Sequence, residues 1–417
     1  MPVDLSLQLA RHGYGALPRV WADREGPDAW SLAAHATLLG RHALVVRGAE
    51  GARLFYDQDL LERDHVVPAP LAHLLFGAGA VHGLDDEEHL GRKALFLHAW
   101  GPRSVQALGD LVERRLHDAA EGWPRRGPFS LHDELVRLYG ASVLQWVGLD
   151  DAQPEAERLS RLMADVVDGF GFSPGAYARG WAARVRLDRW ARRVVQGARR
   201  GDRPVPAEGI LHELVDGPGA ALPPRVAGVE LLNVLRPTVA VAWLGTHAAH
   251  LLLRHPEHGH RMMAADGAAH RRAFAQEVRR LTPFVPALAA RLRGDLIWQG
   301  EQAGAGDLVV LDVPATNRDP RAWQRPEEFL PERFLDREPT AYDLVPQGGG
   351  PLQGHRCPGE DVALTLLERT LLVLSRTEFT GRTSEPRLDR MPTLPRDGLL
   401  LTEARLVDGC FLALVQT

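Results

Sequence analysis

A long apolar stretch, residues 228–254, limits what this chain can become, because Arg236 and Pro237 stand side by side in its middle. The spacing predicts a helix too apolar to sit anywhere but in a core. Proline at 237 removes the amide that would bond the carbonyl of Asn233, and a helix interior excludes it at a cost of about 3 kcal/mol. A guanidinium is almost never buried without a counter-charge, and it cannot shed its own. An anion therefore has to meet Arg236. One reading makes it the carboxylate of an otherwise apolar ligand, with Pro237 bending the helix to make room for the head group. The other makes it a protein carboxylate inside a kinked core helix.

The rest of the composition removes several classes of function. A hydrophobic fraction of 45% in 417 residues suits a globular protein. No segment, the Arg236 helix included, offers the roughly 18 uninterrupted apolar residues expected of a membrane span. The first residues carry an acid early and lack a basic start before an apolar run, so neither signal nor transit peptide is expected, and the cytoplasm is the default location. A net charge of -5 and a pI near 6.4 make no case for nucleic acid, and the arginines of 179–203 read as the solvated face of a helix. The two cysteines, Cys357 and Cys410, build neither a disulfide framework nor a zinc cluster. Cys410 falls in an alternating apolar run that reads as a buried strand.

Helical periodicity dominates and predicts a mainly α protein with small β-sheets, a single domain over 1–417. Helices are expected at 30–39, 89–100, 104–120, 131–147, 155–168, 183–196, 228–254, 270–282 and 360–376. Strands are expected at 43–47, 53–56, 295–298, 308–313 and in the C-terminal tail. Proline and glycine at 201–206 and 217–224 mark loops around a shorter helix. The stretch 316–359 has little periodicity, and irregular segments of that length inside a compact domain are usually functional.

That stretch ends in Gln347-Gly348-Gly349-Gly350, then Gly354-His355-Arg356-Cys357-Pro358-Gly359, and runs into an apolar helix. A cysteine at a helix mouth flanked by His355 and Arg356 has its ionised form favoured, as a nucleophile or a metal ligand. The glycines would let backbone amides approach the sulfur, which suits an axial thiolate on haem iron. A buried structural cysteine remains the alternative.

This segment resembles the haem-thiolate loop of the cytochrome P-450 superfamily, with Cys357 at the axial position. Glu277-Val278-Arg279-Arg280 is similar to the family's Glu-x-x-Arg signature, and Pro331-Glu332-Arg333-Phe334 to the segment whose arginine closes that network. The resemblance spans most of the chain with its motifs in order. It implies a triangular helical domain that encloses haem b between a long distal helix and a cysteine-bearing proximal loop and helix.

The departures from the family pattern are informative. The acid-alcohol pair of ordinary monooxygenases is replaced by Arg236-Pro237, and the usual aromatic residue seven positions before the cysteine is Gly350. These features resemble the branch of hydrogen-peroxide-dependent fatty-acid peroxygenases and olefin-forming decarboxylases. That likeness implies that Arg236 holds the carboxylate of a long-chain fatty acid, that this carboxylate supplies the missing acid-base group, and that no redox partner is obligatory. It places His82, in the loop 75–83, where histidine is associated with decarboxylation to terminal alkenes and glutamine with hydroxylation. It makes Phe76 a wall of the pocket, and suggests Phe170, Phe172 and Phe284 as walls of an acyl channel. It assigns His89 and Lys93, with Arg63 as a third candidate, to the haem propionates. The spacing of His89, Arg92 and Lys93 puts their cationic ends on one helix face, although a solvated face accounts equally well for Arg92. A reductase-dependent monooxygenase and a non-catalytic haem or lipid carrier remain as alternatives.

Overall fold

The computed structural model describes residues 3–22, 30–149, 153–171, 173–282, 284–407 and 413–415, so Phe172 and Cys410 lie outside the described residues. Helices at Asp86–Ala99, Pro102–Gly122, Leu131–Trp146, Gln153–Asp168, Pro174–Arg199, Pro224–Arg254, Gly267–Leu281 and Glu360–Leu374 build the bulk of the protein. Most lie within a few residues of the expected bounds. Pro174–Arg199 begins nine residues before the expected start at 183, because proline is accommodated in a first turn, where its missing amide has no partner to lose.

Pro224–Arg254 is the centre of the largest hydrophobic core and packs along Leu131–Trp146, Pro174–Arg199 and Glu360–Leu374. Two glycines set its closest crossings. A Cβ on Gly228 would lie 2.8 Å from the backbone nitrogen of Arg192, and one on Gly245 would lie 3.0 Å from the Tyr139 hydroxyl. The helix continues through Pro237 without a break. Helix on both sides of the proline is held by packing on every face. By length and composition this helix is long enough and apolar enough to cross a membrane, contrary to expectation, because Arg236 alone does not offset the apolar residues around it. Yet 89% of its apolar window is buried against the protein.

A six-stranded sheet runs in the order Val3–Asp4, Ala33–Leu38, Arg41–Val46, Leu308–Asp312, Ala287–Leu292, Leu61–Glu62. Two expectations fail beside it. Residues 30–39 were expected as a helix, but Ala33–Leu38 is a strand paired antiparallel to Arg41–Val46, with Ala36 opposite Ala43. Leu39 and Gly40 turn the chain with φ of 56° and 73°. Alanine and leucine favour helix locally, and the sheet partner overrides them. Residues 53–56 were expected as a strand but close the helix Gly48–Phe55, where Leu54 and Phe55 pack beneath the sheet. A four-stranded sheet joins Ala413–Val415, Thr377–Arg382, Leu400–Leu406 and Phe129–Ser130.

Candidate active site

Arg236 is 6% exposed, and among the described residues no carboxylate pairs with it. Its Nη2 reaches Asn233 Oδ1 at 3.4 Å, and its Nε is buried without an acceptor. Burial, with Arg184 adding to it, pushes the guanidinium down to about 9. The core-helix reading, which required a protein carboxylate, therefore fails. Glu230, the acid on this helix, is committed elsewhere: to Arg92 at 2.7 Å, to the Val81 amide at 3.0 Å and to Asn233 Nδ2 at 2.9 Å. The hydroxyls of Thr238 and Thr246 turn back onto the carbonyls of Val234 and Ala242 at 2.9 and 2.7 Å. No acid-alcohol pair forms on this helix.

The loop before Asp86–Ala99 brings Phe76 and His82 together as a stacked pair with ring centroids 4.1 Å apart. His82 keeps exposed surface, and Arg236, Lys93, His355 and His89 are the titratable groups that act on it. Desolvation, then the charges of Arg236 and Lys93, hold its pKa at about 3, so the ring is neutral. On the facing helix His89 stacks on His355 at 3.9 Å, and Lys93 donates to the carbonyls of Gly354, at 2.8 Å, and Arg356. Arg63 lies over the Phe55 ring at 4.2 Å and donates to its carbonyl at 2.8 Å. Arg92 does not join them. Its guanidinium points to Glu230 and to the Gly79 carbonyl, so neither a solvated face nor the cofactor accounts for it.

Cys357 keeps part of its surface accessible. Its amide donates to the Gln347 carbonyl at 2.9 Å, while the Gln347 side chain accepts from Arg279 at 2.6 and 2.9 Å. One expectation is corrected here and one is met only in part, by Gly359. Burial pushes the thiol up, so its surroundings alone do not favour the ionised form, and a cation at sulfur is what would hold it as thiolate. The triple glycine does not crowd the sulfur either. Gly348 and Gly350 have φ of 87° and 78° and lie under the Tyr56 ring, and the amide directed at sulfur belongs to Gly359.

The residues present fit haem. Arg63, Lys93, His89 and His355 gather where Asp85 is the carboxylate that reaches them, which suits a dianionic group, and the partly accessible Cys357 thiol lies close enough to influence Lys93 and Arg236. The expected supporting network is also in place: Arg280 grips Glu277 with two contacts of 2.8 Å, and Arg333 joins Glu277 at 3.2 Å.

Phe284 lines a small cavity with Leu244, Arg279, Val313 and Gln347. Phe170 stands in the turn after Gln153–Asp168, and no ring contact among the described residues ties it to this group. Elsewhere His258, His270 and Glu332 bring ligand atoms within 4.8 Å of one another. There His258 Nδ1 and His270 Nε2 face each other at 2.9 Å as a hydrogen bond and Glu332 is paired with Arg261, so the cluster satisfies itself. Glu230 and Asn233 were missed in the sequence, although polar residues at 230, 233 and 236 form a one-turn ladder in an apolar helix that could have flagged them.

The cytochrome P-450 family profile matches residues 272–402. A cytochrome P-450 of Mycobacterium tuberculosis, number 137, is 28% identical over 342 residues, covering 76% of this chain and 70% of its own. Cytochrome P-450SP alpha (CYP152B1) in complex with (R)-ibuprofen superposes with a TM-score of 0.89 at 32% identity, over 97% of this chain and 99% of that one. Ligand-free cytochrome P-450 OleT gives 0.91 at 27% identity over 98% and 99%. Cytochrome P-450EX alpha (CYP152N1) with myristic acid gives 0.89 at 28% identity over 97% and 98%. The chain therefore belongs to the cytochrome P-450 family, whose haem iron is held by a cysteine thiolate, and its likeness to these structures puts it in the peroxygenase and decarboxylase branch.

Proposed function

We propose that this enzyme uses hydrogen peroxide to oxidise long-chain fatty acids at Cα or Cβ, as hydroxylation, as decarboxylation to terminal alkenes, or as both. The observation that carries the reading is Arg236: a buried guanidinium in the centre of the long helix, without a carboxylate partner among the described residues and with Nε lacking an acceptor there. A fatty acid is the matching ligand, apolar along its length and anionic at one end.

Cys357 would bind the iron of haem b, and His89, Lys93 and Arg63 would meet its propionates. Bound there, a haem with a thiolate ligand supplies an electron-rich iron that favours cleavage of the peroxide O–O bond. Arg236 offers Nε and Nη to the substrate carboxylate and holds it as a group that accepts a proton from one peroxide oxygen and returns it to the other. Fixing the carboxylate also leaves Cα and Cβ as the carbons nearest the oxidant. Phe76 and Phe284 exclude water from the head of the chain. His82, held neutral, keeps one N–H to donate beside Phe76, and it biases the outcome towards the alkene. The acid-alcohol pair that reductase-driven chemistry would draw on is missing from this helix, where Glu230 is committed to Arg92, Val81 and Asn233, and this disfavours a requirement for a redox partner.

The test is product analysis by gas chromatography after the holoenzyme is mixed with hydrogen peroxide and a saturated long-chain fatty acid, with no reductase present. Hydroxy acids or a terminal alkene one carbon shorter are expected. Product formed only when a reductase system is supplied would overturn peroxide dependence, and binding without turnover under either condition would point to a carrier.

A further inference from the structure

One buried carboxylate joins the two halves of the candidate site. Glu230 has no exposed surface. Its Oε1 accepts from Arg92 Nη1 at 2.7 Å and from the Val81 amide at 3.0 Å, and its Oε2 accepts from Asn233 Nδ2 at 2.9 Å. An ionised carboxylate can only accept, so Asn233 must turn its NH₂ group towards Glu230 and its Oδ1 the other way. One helical turn further on, that Oδ1 meets Arg236 Nη2 at 3.4 Å. Each successive pair in this chain is spaced i, i+3, which brings Glu230 within reach of Asn233 and Asn233 within reach of Arg236. The contact at 3.4 Å is too long to neutralise the guanidinium, yet it limits the directions in which Nε and the remaining Nη hydrogens can point.

The same carboxylate holds the opposite wall. Val81 immediately precedes His82, and Arg92, gripped by Glu230, also donates to the Gly79 carbonyl at 3.2 Å. Glu230 thus ties the 79–82 loop to the long helix and sets the separation between the group that grips a carboxylate and the ring beside it. Stability alone is a poor explanation, since a buried ion pair can often be replaced by apolar residues without loss.

We propose that Glu230 is a positioning residue that acts through Asn233 on Arg236 and through Val81 and Arg92 on His82, and so governs which carbon of the fatty acid is oxidised. This inference rests on the fatty-acid reading above. In Glu230→Gln the volume is kept, but the amide can present either NH₂ or oxygen to Asn233, so the Asn233 orientation is no longer enforced. Asn233→Ala removes the Arg236 contact and leaves the link between Glu230 and the loop.

The experiment is steady-state turnover of a saturated long-chain fatty acid with hydrogen peroxide by haem-loaded wild type, Glu230→Gln and Asn233→Ala. It records KM, kcat, the ratio of α-, β- and alkene products, and haem absorbance. A rise in KM of about tenfold in both variants, with a changed product ratio in Glu230→Gln and haem retained, is the expected result. Unchanged KM and product ratio in both variants of an active wild type would overturn the inference and leave the proposed function standing. Should Glu230→Gln fail to fold, Asn233→Ala decides alone, with a wild-type KM counting against the proposal. An inactive wild type defeats the fatty-acid reading, and the inference falls with it.

Discussion

Arg236 shows how a single residue reveals a site. It breaks the rule against buried uncompensated charge, and the structure leaves it without a carboxylate partner among the described residues. Replacing it with alanine removes the guanidinium proposed to distinguish a fatty acid's head from its tail. Arg236→Ala is expected to lower fatty-acid turnover at least about 100-fold while haem remains bound, because misplacing a reacting group alone costs that much. Product yield together with haem absorbance checks this, and full activity with unchanged regiochemistry would refute the clamp. Arg236→Lys keeps the charge but loses the planar fork, so a loss of about tenfold is expected from the same assay. Cys357 was equally legible, through its glycines and its place at a helix mouth. Its ionisation was not legible, because burial opposes the flanking cations and only packing decides how deep the sulfur lies. Phe170 carried no such violation, and an aromatic residue in an apolar segment cannot be told from core by sequence.

At the scale of elements, the long helix is read correctly from its periodicity, but its fit is set by what crosses it. Gly228 touches the backbone at Ala191 and Arg192, where an added Cβ would lie 3.1 and 2.8 Å from main-chain atoms. Replacing glycine by alanine inside a helix ordinarily stabilises by up to about 1 kcal/mol. Here the sign reverses, since main-chain atoms cannot rotate away as a side chain would. Gly228→Ala is expected to destabilise by about 1–3 kcal/mol, read as a lower denaturant midpoint with unchanged slope. A midpoint at or above wild type would show that the two helices can separate at no cost. The strand Ala33–Leu38 teaches the same lesson from the other side. Its alanines and its leucine favour helix, and its partner Arg41–Val46 makes it a strand.

For the whole molecule, the interior histidines set the response to acid. Burial lowers His132 to about 3 and His247 and His250 to about 4, from an ordinary value of 6.5. These rings stay neutral in the folded protein while the unfolded chain takes up protons below about pH 6.5, so stability is lost as pH falls from there towards 4. Each histidine withdraws up to about 2 kcal/mol between pH 7 and pH 5. Denaturant unfolding at the two pH values is expected to show a clear drop at pH 5, with a shallower dependence in His132→Gln. Equal stability at both pH values would refute it.

The family, the helical class, and Cys357 and Arg236 as candidate site residues were all available in the sequence, because each rests on local order: a periodicity, a motif at fixed spacing, or a residue that violates the rule of its own element. Tertiary structure alone decided that Pro237 sits in an unbroken helix, that Arg92 serves Glu230 and not the cofactor cradle, and that the glycines make room for Tyr56. It also decided that Arg236 meets no carboxylate among the described residues. These outcomes depend on which distant groups arrive at a given point, and a side chain's partner across more than 100 residues, as between Arg92 and Glu230, is chosen by packing and not by its neighbours in sequence.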